Sequence, residues 1–300
     1  MNQDYSFEFC GKLLGTGHPM FVVAEIGFNH NGDVELAKRM IESAAESGAD
    51  AVKLQTFVAS EMISNTLMGD DPDHPGNEIP FYEFFQRYEL SREDYKTLIV
   101  HARTLNIPLF STPFDDASLD MLVELGVPAL KIASPDLTYT PFLERVAETG
   151  LPVVLSTGMG DEREIAQALE ALTKAKSVIL LHCVSNYPSQ YDEMNLACLE
   201  GLRQCFKLPV GLSDHTLDNL SAVVAASLGA VMIEKHFTLD RKMPGVDQSI
   251  SMQPEDLCEL KSDILNVTKT LGKEKKEIQE SEIPVKLSAR RSLVARVDIP

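Results

Sequence analysis

Short apolar runs rich in β-branched residues recur eight times along the chain, and each is followed by a stretch with helical amphipathic spacing. The runs are Phe21–Ile26, Ala51–Phe57, Pro108–Phe114, Ala129–Ser134, Pro152–Thr157, Ser177–Ser185, Pro209–Thr216 and Ala230–Thr238. The helical stretches are Asp33–Ser47, Arg92–Leu105, Ala117–Leu125, Pro141–Glu148, Asp161–Thr173, Leu196–Cys205, Asp218–Leu228 and Pro254–Leu271. Strands that are apolar on both faces and alternate with helices predict a parallel sheet covered by helices.

The number of repeats decides which form of parallel sheet to expect. Eight units within about 250 residues are typical of a closed (β/α)8 TIM barrel rather than an open doubly wound sheet. Gly48, Gly126, Gly150 and Gly229 each stand between a helical stretch and the next run, where glycine commonly ends a helix. The first run is not followed by G-x-G-x-x-G, the dinucleotide-binding pattern. We therefore predict an α/β protein with a (β/α)8 TIM barrel.

Charge and composition exclude several classes of protein. The chain has 27 Lys and Arg against 45 Asp and Glu, a formal net charge of −18, which repels nucleic acid and anionic membrane surfaces. The N-terminus lacks a signal pattern, and no apolar run is long enough to span a bilayer. The five cysteines form no C-x-x-C pair, which indicates reduced thiols. These features favour a cytoplasmic protein whose partners include neither nucleic acid nor membrane.

Two segments do not fit the repeat. Residues 60–88 are rich in Pro, Gly and Asp and are expected to form a surface excursion beside the mouth of the barrel. Residues 273–300 become polar and then strand-like. We predict a barrel domain over residues 1–272, followed over 273–300 by a linker and the first residues of a further domain.

Polar residues cluster at the carboxyl ends of the predicted strands, where barrel enzymes carry their chemistry. In chain order they are Glu25, Asn29, Asn31, Lys53, Gln55, Ser111, Thr112, Lys131, Ser134, Ser156, His182, Ser185, Ser213, Asp214, His215, Glu234, Lys235 and His236. All of these side chains are expected to converge on one mouth.

Two lysines stand inside otherwise apolar strands, Lys53 in AVKLQTF and Lys131 in ALKIAS. A buried ammonium needs an anion nearby. One interpretation is a structural ion pair with Glu25 or Glu234. The other, which we favour because many hydroxyls lie at neighbouring strand ends, is a clamp for a phosphate or carboxylate.

Two histidines, His215 and His236, end neighbouring strands, and Glu234 shares a face with His236. Two imidazoles with a carboxylate at an open mouth suit Mn²⁺, Fe²⁺ or Zn²⁺, although a buried histidine can also be purely structural. His182 is expected in the same region, with a supporting role as an alternative to a ligand role. His30 could serve the site or its own loop, and His18, His74 and His101 receive no role.

Eight motifs, in order and at family-like spacing, closely resemble those of the sialic acid synthase family. This family includes N-acetylneuraminate, legionaminate and pseudaminate synthases and the related spore-coat polysaccharide proteins. The motifs lie between about Val22 and Leu260 and are AEIGFNHNGDVELAKRMIESAAESGADAVKLQTF, FSTPFD, LKIASPDLT, LSTGM, LLHCVSNYPS, GLSDHT, EKHFTLDR and PGVDQSISMQPEDL.

The resemblance implies condensation of phosphoenolpyruvate with a mannose-like amino sugar, giving a nine-carbon 2-keto sugar acid and phosphate, with a divalent metal, Mn²⁺ or Mg²⁺. By motif position, the residues that match the phosphoenolpyruvate site are Lys53, Gln55, Thr112, Lys131, Ser134, Ser156 and Ser213. Ser185 falls where some members place an asparagine, with Asn186 one step away. The metal ligands match His215 and His236, and the positions near the sugar or the reacting carbons match Glu25, Asp136, Tyr187 and Asp247.

The resemblance also implies a homodimer and a C-terminal antifreeze-like domain, of which this sequence has only the approach, ARRSLVARVDIP. Glu25 or Glu234 would manage the water that adds to the reacting carbon, while Lys53 and Lys131 neutralise the phosphate. Two alternatives remain open. One is a related synthase that uses a sugar phosphate such as mannose 6-phosphate, with Arg241 and Lys242 as candidate phosphate groups. The other is a barrel that binds sugar acid or phosphate without catalysis.

Overall fold

The structure is a computed structural model that describes residues 6–15, 17–64, 66–71 and 76–300. Its centre is a closed barrel of eight parallel strands, as the sequence predicts, and each predicted run contains one barrel strand. The barrel strands are β3 (Phe21–Glu25), β4 (Ala51–Thr56), β7 (Leu109–Pro113), β8 (Leu130–Ile132), β9 (Pro152–Ser156), β10 (Ser177–Cys183), β11 (Val210–Asp214) and β12 (Met232–His236). Pairing of β12 with β3 closes the barrel.

Helices cover the outside of the barrel, and four of them begin at a residue whose side chain caps the first turn. Asp33, Ser91, Asp115 and Asp161 each accept backbone N–H groups in the first turn of the helix that follows. The helices are α1 (Val34–Glu46), α2 (Ala59–Met62), α3 (Phe81–Gln86), α4 (Arg92–Thr104), α5 (Asp116–Leu125), α6 (Thr140–Glu148), α7 (Glu162–Ala171), α8 (Cys198–Phe206), α9 (Leu220–Ser227), α10 (Pro254–Leu271) and α11 (Ile283–Ala289).

The barrel interior is divided into an apolar half and a polar half. Alternate strand residues point inward, and those near the strand N-termini are apolar, among them Phe21, Phe110 and Met232. An N-terminal hairpin, β1 (Ser6–Phe9) and β2 (Lys12–Gly15), packs buried Phe9 and Leu14 across this end. The Phe9 ring lies 5.4 Å from Phe21 and 5.9 Å from Phe110, edge to face. Polar chemistry is therefore confined to the opposite end.

The excursion over residues 60–88 is a structured wall of the mouth. It contains α2, α3 and an antiparallel hairpin of β5 (Met68–Asp70) and β6 (Glu78–Pro80). Phe28 and Phe57, from the loops after β3 and β4, stack at 5.5 Å and pack against Phe85. This aromatic cluster holds the excursion beside the barrel. His74 lies outside the described residues.

The C-terminal segment differs from its expected strand-like course. After α10 the chain contains the short helix α11, and residues 290–300 form no strand. Apolar residues here, such as Leu287 and Leu293, are exposed, so they lack the packing partners that would hold an extended segment in a sheet. The proposed domain boundary near residue 272 remains a prediction. Within the described part of the chain, no helix has the length and apolarity to cross a membrane.

Candidate active site

Four charged side chains meet inside the polar end of the barrel. Strand register pairs Glu25 with Lys53, and alternation points Lys131 and Glu234 to the same interior. Lys53 forms an ion pair with Glu25, and its Nζ lies 3.9 Å from Oε1 of Glu234. Nζ of Lys131 lies 3.7 Å from that same oxygen. All four residues are at most 5% exposed, so the charges interact with little screening from water.

The two lysines differ in how well the protein compensates their charge. Burial lowers the pKa of Lys53, but the carboxylates of Glu234 and Glu25 outweigh it and raise the pKa overall. For Lys131, burial together with the charge of Lys53 exceeds the effect of Glu234, and the pKa is lowered. Lys131 also donates to the carbonyl of Ile132 at 2.9 Å. Lys131 is therefore the buried cation with the greater need of an added anion.

Neutral hydrogen-bonding groups surround these charges. Thr112 accepts a hydrogen bond from Lys53 at 3.0 Å, Gln55 donates to Glu25 at 3.2 Å, and Ser213 donates to Glu234 at 3.4 Å. The buried hydroxyls of Ser156 and Ser185 have no hydrogen-bond partner among the described residues. Unpaired buried donors of this kind suit a small anion with several oxygens.

Gly158 brings the backbone close to these hydroxyls. Its N–H donates to Ser134 at 3.0 Å, and a Cβ at this position would lie 2.4 Å from the Oγ of Ser185 and 2.7 Å from that of Ser134. Only glycine leaves this space open. The Oγ of Ser185 is buried beside Gly158, whereas Asn186 is exposed and donates to Glu193, which favours Ser185 over its neighbour.

The two histidines lie side by side at the rim, with ring centroids 5.6 Å apart. Nδ1 of His215 lies 2.9 Å from the carbonyl of Val184, and because a carbonyl only accepts, this nitrogen carries a proton. With the proton on Nδ1, Nε2 is the ring nitrogen that can bind a cation. Nδ1 of His236 is buried and lies 3.6 Å from Oδ2 of Asp247. The half-exposed ring of Tyr187 packs 4.1 Å from that of His215.

Asp136 lies in the short 3-10 helix Ser134–Asp136 that follows β8, and its carboxyl group interacts with the charge of Lys131. Burial raises the pKa of its carboxyl to about 6, although the positive charge of Lys131 opposes the shift. Its Oδ2 is buried and has no hydrogen-bond partner within the described ranges. A carboxyl group with this pKa can exchange a proton near neutral pH.

Four predicted strand-end residues do not join the site. Asp214 and Lys235 alternate with inward-facing Ser213 and Glu234, and they pair with each other at 2.8 Å. His182 likewise alternates with inward Cys183, and its Nε2 lies 2.7 Å from the carbonyl of Met194. Ser111 alternates with inward-facing Phe110 and Thr112, and its Oγ lies 2.6 Å from Oγ1 of Thr56. The expectation that all strand-end groups converge on the mouth is wrong for these four. The cause is the two-residue period of a strand.

Other predictions are resolved by hydrogen bonds. Nδ1 of buried His30 accepts from the N–H of Gly32 at 3.0 Å, and burial lowers the pKa of His30 to about 4. His30 therefore serves its own loop. The guanidinium of Arg241 donates to the carbonyls of Ser251 and Leu217 and pairs with Asp256 at 2.8 Å. The guanidinium of Arg241 is therefore held by contacts within the protein and is not aimed at a substrate phosphate.

Sequence reasoning missed two residues of the site. Cys183 is buried, and its Sγ lies 3.6 Å from Oγ of Ser134 and 4.0 Å from Nδ1 of His215. Its even spacing from Leu181 on β10 is the signal that could have placed it inward. Gly27 packs under Glu25 and Gln55, since a Cβ there would lie 2.3 Å from Oε1 of Glu25. No local pattern marks that contact.

Comparison with known proteins identifies the family of this chain. Residues 40–276 match the NeuB family, which covers more than half of the chain. The chain belongs to the NeuB family. An N,N'-diacetyllegionaminic acid synthase of Legionella pneumophila is 40% identical, over 96% of this chain and 83% of that protein. A synthase of the same name from Campylobacter jejuni is 42% identical, over 93% of this chain and 85% of that protein.

A solved structure of this family has the same architecture. The crystal structure of N-acetylneuraminic acid synthetase from Leptospira borgpetersenii, in complex with citrate, aligns with a TM-score of 0.85 at 35% identity. The alignment covers 96% of this chain and 99% of that one. The (β/α)8 TIM barrel and the membership in a family of sugar acid synthases, both predicted from the sequence, are confirmed.

Proposed function

We propose that this NeuB-family enzyme condenses phosphoenolpyruvate with a mannose-configured, N-acetylmannosamine-like sugar and water, giving a nine-carbon 2-keto sugar acid and phosphate. The observation that carries the proposal is the buried group Glu25, Lys53, Lys131 and Glu234 at the polar end of the barrel, together with buried hydroxyls that have no hydrogen-bond partner among the described residues. The family membership supports the class of reaction.

Phosphoenolpyruvate would bind with its phosphate and carboxylate on the two lysines. Lys131 offers an undercompensated charge, and Thr112, Ser134, Ser156, Ser185, Ser213 and Gln55 supply the surrounding polar groups. Such pre-aimed donors stabilise charge on oxygen without reorganising during the reaction. C3 of phosphoenolpyruvate then attacks the aldehyde carbon of the sugar, the aldehyde oxygen takes up a proton and becomes a hydroxyl, and water adds at C2.

Glu234 is the better placed of the two candidate carboxylates to accept the proton of that water. Glu25 is held by Lys53 and Gln55, whereas Oε2 of Glu234 has no hydrogen-bond partner among the described residues. Burial raises the pKa of Glu234, but Lys131 and Lys53 outweigh it and lower the pKa, so this carboxylate is ionised and able to accept. The tetrahedral adduct loses phosphate by cleavage of the C–O bond at C2.

We propose His215 and His236 as the residues that hold a divalent metal. In the described part of the chain, no cluster of three or more His, Cys, Asp or Glu is arranged to hold a metal ion. The fit therefore rests on two imidazole donors, with oxygen from water and substrate completing the shell. Imidazole favours Mn²⁺ over Mg²⁺, which prefers oxygen ligands. When bound, the metal supplies Lewis-acid polarisation of the sugar aldehyde.

The sugar would lie between this rim and the carboxyl groups of Glu25, Asp136 and Asp247, with Tyr187 at its edge. The sugar phosphate alternative loses support because Arg241 is committed to Asp256 and two carbonyls, which leaves exposed Lys242 as the remaining proposed group. We expect N-acetylmannosamine to be used in preference to its 6-phosphate. Replacing Lys242 with Ala should leave that preference unchanged.

The proposal is tested by calorimetric titration of phosphoenolpyruvate into the metal-loaded protein. We expect saturable binding that is lost in Lys131→Ala and kept in Lys174→Ala, a lysine on the surface that pairs with Glu148. Phosphate release with a panel of mannose-configured sugars then separates a synthase from a non-catalytic binder. A folded, metal-loaded protein that does not bind phosphoenolpyruvate would show that the proposal is wrong.

The homodimer that the resemblance implies is also a proposal. Many apolar side chains of the C-terminal segment are exposed in a single chain, including Val285, Leu287 and Val294. Light scattering coupled to size-exclusion chromatography measures the mass directly, and a mass of one chain would exclude the dimer.

A further inference from the structure

A buried polar network joins the first and last loops at the mouth of the barrel. Asn29 follows β3, and its Nδ2 donates to the carbonyl of Phe237 at 2.9 Å and to Oγ of Ser251 at 2.8 Å. Asn29 and Ser251 are at most 1% exposed. The partners lie more than 200 residues apart in sequence, on opposite sides of the seam that closes the barrel.

Gln248 completes the network from the loop that follows β12. Its Nε2 donates to the carbonyl of Asn29 at 2.8 Å, and its Oε1 accepts from the hydroxyl of Thr238. Both Gln248 and Thr238 are buried. Burying an amide and a hydroxyl costs free energy unless each is hydrogen-bonded, so the network holds this loop in one arrangement.

The network leads directly to Asp247. Oγ of Ser251 donates to the carbonyl of Asp247 at 2.6 Å, and Gln248 is its neighbour in the chain. The carboxylate of Asp247 lies 3.6 Å from Nδ1 of His236. A carboxylate that faces the outer nitrogen of a metal-binding histidine orients the ring and strengthens its binding.

We infer that Asn29 and Gln248 are positioning residues, which hold Asp247 against His236 and so fix the rim where the sugar and metal would bind. This inference rests on the proposed function. It separates two halves of the site, because none of the network's hydrogen bonds within the described residues reaches Lys53 or Lys131, the anchors of phosphoenolpyruvate.

The test uses Gln248→Met, which keeps the size of the side chain but removes both hydrogen bonds. Gln204→Met, an exposed change on α8, is the matched control. Calorimetry measures the dissociation constants of Mn²⁺ and phosphoenolpyruvate, and steady-state assays measure KM for the sugar. The same substitution is also made in an Asp247→Ala background, which shows whether its effect passes through Asp247.

In Gln248→Met we expect Mn²⁺ affinity to fall and the sugar KM to rise, each by about 10-fold or more, as for other residues that orient metal ligands. The phosphoenolpyruvate dissociation constant should stay within about twofold, and the substitution should have no further effect in the Asp247→Ala background. Ser251→Ala should act in the same direction but less, and it carries the test if Gln248→Met does not fold by circular dichroism.

A parallel loss of phosphoenolpyruvate affinity, or a full effect in the Asp247→Ala background, would overturn the positioning role. Unchanged Mn²⁺ affinity and sugar KM in Gln248→Met would overturn it as well. Failure of the proposed function looks different, because the unsubstituted protein would then neither bind phosphoenolpyruvate nor release phosphate.

Discussion

Nζ of Lys131 lies 3.7 Å from Oε1 of Glu234, with both side chains buried inside the barrel. The same oxygen lies 3.9 Å from Nζ of Lys53, so one carboxylate is shared between two ammonium groups. An incoming anion would compete with Glu234 for these cations. The arrangement links anion binding to the freedom of the carboxylate that we propose as proton acceptor.

Glu234→Gln should therefore separate binding from turnover. Because the substitution removes a negative charge beside both lysines, phosphoenolpyruvate should bind at least as tightly as before. Turnover should fall by about 10²- to 10⁴-fold through loss of the proton acceptor. Calorimetry and phosphate release measure the two quantities, with surface Glu148→Gln as the control. Lost binding, or turnover within threefold of normal, would contradict this role.

Replacing either rim histidine should remove the metal. We expect His215→Ala and His236→Ala to lose Mn²⁺ binding by calorimetry, while His101→Ala, on the surface helix α4, keeps it. Chelation should likewise stop phosphate release in the unsubstituted protein. Undiminished Mn²⁺ affinity in both rim variants would place the metal elsewhere.

Lys235→Met should destabilise the fold rather than the site. Lys235 and Asp214 are at most 2% exposed, and Lys235 also donates to the carbonyl of Thr216. Removing one partner leaves a buried charge uncompensated, which costs about 3–5 kcal/mol of unfolding free energy. Urea denaturation measures this change, and Lys174→Met, which breaks an exposed pair, should cost at most about 1 kcal/mol. Equal stability of the two variants would refute the argument.

Asp136 should make stability depend on pH. Its folded-state pKa of about 6 lies above the ordinary 3.8, so the folded chain holds more protons than the unfolded chain between these values. The free energy of unfolding from this group therefore falls as pH rises from about 4 to 6. The urea concentration at which half of the protein is unfolded should fall less between about pH 4 and pH 6 in Asp136→Asn than in the unsubstituted protein. Identical pH slopes would mean that the carboxyl group is not perturbed.

The barrel could be predicted because its determinants are local. Apolar runs and helix-ending glycines each act within a few residues, and together they placed all eight strands. The hairpin that carries Phe9 and Leu14 escaped because each of its strands is only four residues long. Short alternating segments of that size give a weak signal.

The site was predictable in its residue types but not in all of its partners. Lys53 and Lys131 are conspicuous in apolar strands, and the structure supplies the carboxylates that the sequence left as alternatives. Lys235 looks equally conspicuous, yet a shift of one residue along a strand points it away from the interior. One partner of Gln248, Asn29, lies 219 residues away, and no local pattern encodes such a pairing.

Phe9 and Leu14 pack across one end of the barrel. Every reactant would therefore enter through the mouth at the opposite end. Lys53 and Lys131 are more deeply buried than His236, with 4% and 3% of the side chain exposed against 12%. For a chain that acts as proposed, the ligand on the lysines must arrive before the sugar blocks its path. Substrates would then bind, and products leave, in a fixed order, with phosphate released last.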